Sequence, residues 1–397
     1  MTLNMKQSVW PSLAILATVL LSFSCSKNET PPFDPSEAVV VSDMKDKMAH
    51  CSAFETEPDG RVFFTYYHDT TQTLEKPSMA TISVVLAKSR LPDLKEIERM
   101  EVIQAGQTVG DYTQNPERAP YDPNLLTIGD WLYVYFNGCV EDGTVTYAVR
   151  RYDLKADKFE DKVTPCTLNY DGKKVTLDSR NLFRMFEDMG LESTFYNDHT
   201  ISAPFIRYKD AWYCAIGTAF PQRSYPIVVK TVNGIDFDVV MVCKEFLFGC
   251  CEASVEIVDG EFYVAMRNSG ADRGVRGTYI AKYDEEGNCL VPPVYLSEAQ
   301  SKIILSNHKG KLFVFYNANP SLFTDWGVVS RSRLRISQID RGCNIIRSWD
   351  ITNPYGIHYP YVKETGGRLM MTFTEDRKML DIAQTRTNIS FTEVKLP

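Results

Sequence analysis

Residues 252–268 read Glu252-Ala-Ser-Val-Glu256-Ile-Val-Asp259-Gly260-Glu-Phe-Tyr263-Val-Ala-Met-Arg267-Asn268. A polar residue leads an apolar run, an Asp-Gly turn follows, and an aromatic-bearing strand returns. An Asp-Gly between two such runs is a β-hairpin signal. The phrase recurs along the chain as His50-Cys51-Ser52 to Tyr66, Arg118-Ala119-Pro120 to Tyr135 and Ser202-Ala203-Pro204 to Tyr213. It returns as Lys302-Ile303-Ile304 to Tyr316 and His358-Tyr359-Pro360 to Phe373. The turns Asp59-Gly60, Lys309-Gly310 and Gly366-Gly367 occupy the place that Asp259-Gly260 holds here.

A period of this kind marks a repeat architecture. The copies begin at 50, 118, 202, 252, 302 and 358, and an interval near 50 residues is enough for a four-stranded antiparallel blade. The expected fold is therefore all-β: a β-propeller of six four-stranded blades. The long interval from 118 to 202 leaves room for a seventh. Within it, Asn181-Leu-Phe-Arg-Met-Phe-Glu-Asp-Met-Gly190 places Leu182, Met185 and Phe186 at helical spacing with Gly190 as a C-cap, which predicts a short helical insertion. Val39-Val40-Val41 is a candidate closing strand that completes the last blade and leaves the ring no open seam.

The first 24 residues read as a signal peptide. Lys6 gives the positive start, and Leu13 to Phe23 is an apolar stretch of 11 residues, too short to span a bilayer as a helix. Ser22-Phe23-Ser24-Cys25 is similar to a bacterial lipobox, which makes Cys25 the expected lipidation site. Residues 25–36 then form a tether and 37–397 a single propeller domain. The expected location is outside the cytoplasm, lipid-anchored to a bacterial outer membrane. Net charge is −8 and the isoelectric point about 5.3, without a basic patch, so nucleic acid is not an expected partner. A monomer is expected. Of ten cysteines, nine follow Cys25, an odd number that leaves at least one unpaired within the chain. Many sit inside apolar strands, as Cys214 does, and read as buried free thiols. The sequence lacks a Cys-x-x-Cys or His-x-x-x-His pair, so neither a metal nor a cofactor is expected.

In a propeller the innermost strand of each blade lines the central channel, and the starts of those strands converge on one mouth. Here they carry His50, Arg118, Ser202, Glu252, Lys302 and His358. Gathering such groups has no stabilising purpose, because desolvated charges are costly unless paired.

Glu252 followed by Arg267 across the Asp259-Gly260 hairpin resembles a signature stretch of the sialidase superfamily. The resemblance implies a base in Glu252 and a carboxylate-gripping arginine in Arg267. Phe315-Tyr-Asn-Ala-Asn-Pro320-Ser321 with Ser330-Arg331-Ser-Arg333 is similar to the segment carrying that family's third arginine, which points to Arg331, with Arg333 behind it. His358-Tyr359-Pro360 stands where the family keeps its nucleophilic tyrosine, which makes Tyr359 the candidate. A phenol has a pKa near 10 and needs an adjacent base to attack, and sialidases depart from the two-carboxylate scheme by using tyrosine. Asp69, after Tyr66-Tyr67-His68, is the candidate general acid. The family's first arginine is replaced by His50, a group that trades a proton where a guanidinium keeps a permanent charge.

The expected activity is a sialidase-like glycoside hydrolase acting on a glycan with an acidic sugar, Arg118, Lys302, His358 and His199 lining the pocket. Two alternatives stand beside it. One is a uronate-directed lyase or rhamnosyl-uronate-cleaving propeller centred on His50, His199 and His358. The other is a surface glycan-binding lipoprotein without catalysis.

Overall fold

The structure, a computed structural model, describes residues 30–73, 80–218, 223–246, 249–268, 277–297, 301–318, 322–324, 327–329, 331–353, 356–377 and 386–397. Cys25 and the signal segment lie outside them. Six antiparallel sheets of four strands follow one another along the chain, and the third carries two more. Blade one comprises Met48–Thr56, Arg61–Asp69, Ser83–Arg90 and Glu98–Gln104. Blade two comprises Tyr121–Ile128, Trp131–Cys139, Val145–Asp153 and Lys158–Pro165. Blade three comprises Ile206–Tyr208, Ala211–Ile216, Ile227–Thr231 and Asp236–Val242. Blade four comprises Cys250–Val258, Glu261–Asn268, Gly277–Tyr283 and Cys289–Ser297. Blade five comprises Ile304–His308, Lys311–Asn317, Arg333–Ile339 and Ile345–Thr352. Blade six comprises Ile357–Thr365, Arg368–Arg377 and Arg386–Val394, and its fourth strand is Val39–Val40.

That last strand closes the ring: Val39 pairs with Phe391 and Val40 with Ser390, and Val41 N donates to Ile389 O at 2.8 Å. The first strand of blade one touches those of blades two and six, and the first strands of blades three to six touch one another in turn around the axis. Three of the hairpins between first and second strands owe their geometry to the quoted dipeptides, while Asp59-Gly60 sits in a longer turn with left-handed φ only at Gly60 (87°). Asp259 and Gly260 have φ of 54° and 82°, Lys309 and Gly310 53° and 75°, Gly366 and Gly367 57° and 74°. Positive φ at both central residues defines the type I′ turn, whose twist matches that of the strands.

The long interval does not hold a seventh blade. Thr167–Tyr170 and Lys173–Thr176 form a hairpin that joins blade three through parallel pairing with Asp236–Val242. The helix Ser179–Asp188 follows, opened by the Asp178 side chain accepting from Asn181 N and buried through Leu182, Met185 and Phe186. Blade three's inner strand is short, and residues 201–205 lack a sheet ladder. Asn124 Nδ2 serves in its place, donating to Ile201 O (2.9 Å) and Ala203 O (2.8 Å), so buried carbonyls are satisfied without a strand. All nine described cysteines are free thiols, seven of them buried. Among the described residues no helix is long and apolar enough to cross a membrane.

Candidate active site

Four inner strands carry a β-bulge near their start. The register shifts between His50 and Ala53, Tyr121 and Asn124, Cys250 and Ala253, and His358 and Tyr361. Cys51, Asp122 and Tyr359 take left-handed φ of 48°, 47° and 53° inside these bulges. A bulge bends the strand and re-aims side chains. It also changes which residues correspond. His50, Tyr121, Cys250 and His358 are the equivalent positions; Glu252 stands two residues further on and Arg118 three residues earlier. The first polar residues of the repeats therefore do not all occupy one structural position.

Glu252 is fixed by its neighbours in blade three. Thr200 Oγ1 donates to Cys251 O at 2.7 Å. Gly217 faces the same carbonyl so closely that an added Cβ would stand 1.9 Å from Cys251 O. Only a residue without a side chain lets the two backbones approach this way. Both Glu252 oxygens then accept from Arg267 Nη1, at 3.1 and 2.9 Å, with the side chains 7% and 11% exposed. Burial opposes the charge on Arg267, but Glu252 and Tyr359 outweigh it and hold the guanidinium protonated, its pKa well above the ordinary value.

The same Nη1 donates to Tyr359 Oη at 3.3 Å, joining blade four to blade six. The Arg331 guanidinium lies 5.0 Å from the centroid of the Tyr359 ring. Arg331 itself has φ of 65°, and its carbonyl accepts from Ile357 N and from Asn317 Nδ2 at 3.2 Å. These bonds tie the arginine to the strand that bears Tyr359. The His50 ring packs 4.3 Å from the Tyr359 ring and 5.3 Å from His358, and His50 Nδ1 meets Thr374 Oγ1 at 3.0 Å. His358 Nε2 pairs with Asp376 Oδ1 at 3.1 Å. Burial pushes His358 below the usual imidazole range despite that partner. Burial would raise Asp376, but His358, His50 and Arg331 hold it low.

The other expected residues fall in three places. Lys302 is buried deeper in the channel, its ammonium 5.2 Å from the Tyr361 ring, and desolvation lowers its pKa. The Tyr361 hydroxyl donates across the ring to Asn124 Oδ1 at 3.0 Å. Asp69 anchors a turn: its oxygens accept from Thr71 N (2.6 Å), Thr71 Oγ1 (2.7 Å), Thr81 Oγ1 (2.5 Å) and Gln72 Nε2 (2.9 Å), a set that occupies its lone pairs. His199 is 1% exposed and packs between Ser179 Oγ, 3.2 Å from its Nδ1, and Tyr147. Burial alone lowers it to about 3, so it is a neutral core histidine, placed by its backbone contact with Asn137 Nδ2.

The residue that sequence reasoning passed over is Asp198, beside it. Tyr121 Oη donates to Asp198 Oδ1 at 2.5 Å and His199 N donates to the same oxygen at 2.8 Å. Among the described residues Oδ2 has no hydrogen bond and is free to hold a proton. Burial raises Asp198 to about 6, and Arg118 and Glu252 are both in electrostatic reach. A half-buried carboxyl that keeps its proton to pH 6 beside an ionised pair has the character of a general acid. The signal available in the sequence was weak: Tyr121 lies 77 positions away.

No family model matches the chain, and no curated protein matches it in sequence. Solved structures do resemble it. Trypanosoma rangeli sialidase in complex with sialic acid superposes with a TM-score of 0.58 at 10% identity, covering 91% of this chain and 57% of that one. A protein of unknown function from Dyadobacter fermentans gives 0.61 at 12% identity, covering 92% of this chain and 100% of its own. NanB sialidase from Streptococcus pneumoniae gives 0.53 at 10% identity, over 90% and 70%. The chain thus spans a little over half the length of the trypanosomal chains it resembles. At these identities the likeness is one of architecture: the fold is a divergent sialidase-like six-bladed propeller.

Proposed function

We propose that the chain is a glycan-active enzyme, a sialidase-like glycoside hydrolase that removes an acidic sugar from a glycan. The observation that carries this reading is one nitrogen, Arg267 Nη1, bonded to both Glu252 and Tyr359 with Arg331 against the same tyrosine. In the reaction, Glu252 takes the phenolic proton as Tyr359 Oη attacks the anomeric carbon. The bond from that carbon to the leaving oxygen breaks, and the oxygen takes its proton from Asp198. Water then attacks the same carbon while the Asp198 carboxylate takes a water proton. The tyrosine oxygen departs and recovers its proton from Glu252. Arg267 and Arg331 supply permanent cations for the sugar's carboxylate. The enzyme works outside the cytoplasm, tethered through Cys25.

The test is turnover of sialosides and of uronate-capped glycans by the full chain and by Glu252→Gln. Loss of turnover in a folded variant supports the reading; undiminished activity overturns it. A second reading, β-elimination at a uronate, is favoured by one feature: His50 against Tyr359, with the His358–Asp376 pair behind it. Elimination leaves an unsaturated product absorbing in the near ultraviolet, and hydrolysis does not.

A further inference from the structure

Lys302 is a buried cation that the reaction above does not use. It stands just before the first strand of blade five and is 1% exposed. Arg267, equally enclosed, has Glu252 for a counter-ion. Lys302 has none: among the described residues its ammonium has neither a hydrogen bond nor a carboxylate within ion-pair distance. What it meets is a ring face, with Nζ 5.2 Å from the centroid of Tyr361. The Tyr361 hydroxyl is spent on Asn124 Oδ1. Two hydroxyls of the same region share the shortage. Ser301 Oγ, next in the chain, and Ser52 Oγ are both buried and without a hydrogen-bond partner. Ser52 lies two residues before Phe54, whose ring packs 5.7 Å from that of Tyr361. Around them Ile303, Ile304, Tyr361 and Asn124 are fully buried.

A cation taken out of water is costly unless an opposite charge meets it. An aromatic face returns only part of that cost, and burial accordingly lowers the Lys302 pKa. An ammonium can only donate, and either hydroxyl can donate beside it. What this cluster lacks is an acceptor that carries charge. We propose that the channel at Lys302 holds a binding site for a small monovalent anion, a halide, with Ser301 and Ser52 as its hydroxyl donors. Charge and access decide the class. One monovalent anion balances one ammonium, whereas sulfate or a doubly charged phosphate would bring a surplus charge against Ile303 and Ile304. At 1% exposure the ammonium is beyond the reach of a carboxylate carried on a sugar ring. The site is therefore separate from the pocket of Arg267 and Arg331, and it does not depend on the hydrolase reading.

The experiment melts the full chain at pH 7 in sodium chloride and in sodium gluconate at equal ionic strength. Chloride is the probe, and gluconate is too large to enter. The readout is the melting temperature in chloride minus that in gluconate. An anion bound only by the folded chain stabilises it by mass action, so this difference is expected to be about 2–4 °C larger for the wild type than for Lys302→Met. Methionine keeps the length of the side chain and removes the charge. Crystals of the wild-type chain grown in sodium bromide give a reading that does not depend on how the variant folds: an anomalous scattering peak in contact with Lys302 Nζ is expected. An equal difference in the two chains, or bromide crystals without a peak at Lys302, overturns the site.

Discussion

Replacing Arg267 by Met removes one cation and leaves a carboxylate behind. Both Glu252 oxygens depend on Arg267 Nη1, at 3.1 and 2.9 Å, and the Glu252 side chain is only 7% exposed. Stranding a buried charge in this way costs about 3–5 kcal/mol, a large share of a typical folding stability. Glu252→Gln keeps an oxygen acceptor for Arg267 but leaves its buried guanidinium without a countercharge, and is expected to cost about 3 kcal/mol, the low end of that range. The double variant leaves neither carboxylate nor guanidinium. It is expected to recover about 1–3 kcal/mol relative to the sum of the singles, because the pair acts as a unit. Urea unfolding of the full chain at pH 7, followed by tryptophan fluorescence, reads all three values. A cost below about 1 kcal/mol for Arg267→Met, or strict additivity in the double variant, would refute the buried pair.

Gly217→Ala puts a Cβ against the Cys251 carbonyl and should shift the bulge that aims Glu252. A loss of kcat on the order of a hundredfold is expected, with the fold retained by circular dichroism; full activity would show that this approach is not what positions the base. Asp198 and His199 should give opposite pH responses. Asp198, raised to about 6 by burial, adds stability that is full below its unfolded value and is lost as pH rises to about 6. His199, lowered to about 3 by burial, stays neutral while the unfolded chain protonates, so its contribution is lost as pH falls below about 6.5. Between pH 7 and 4.5 the two nearly offset. Asp198→Asn should unmask a loss of about 3 kcal/mol on acidification, and an unchanged pH slope in that variant would contradict the assignment. Wild-type kcat/KM should also fall about tenfold per pH unit above about 6, as the acid loses its proton.

Much of the fold was legible because the signals are local. Asp259-Gly260 and Gly366-Gly367 demand left-handed backbone, and only a tight hairpin uses it at both positions. Leu182, Met185 and Phe186 at helical spacing face the core as expected, and Val39–Val40 closes the ring. The site was legible as far as it depends on one hairpin: Glu252 and Arg267 sit on neighbouring strands of blade four. What the sequence concealed is set by long-range contacts. The bulges displace Glu252 and Arg118 from the position of His50, and no local pattern announces them. Asp69 and His199 carry the right chemistry in the wrong surroundings, one spent on a turn and one sealed in the core. Asp198 is an ordinary loop aspartate until Tyr121 and Arg118 are brought beside it from blade two.

The nucleophile is the centre of the account, and it can be caught directly. Incubating the full chain with 2,3-difluorosialic acid and mapping peptides by mass spectrometry asks which atom attacks the sugar. A single glycosyl adduct on Tyr359 is expected, absent in Tyr359→Phe. An unlabelled chain, or an adduct on any other side chain, would contradict it.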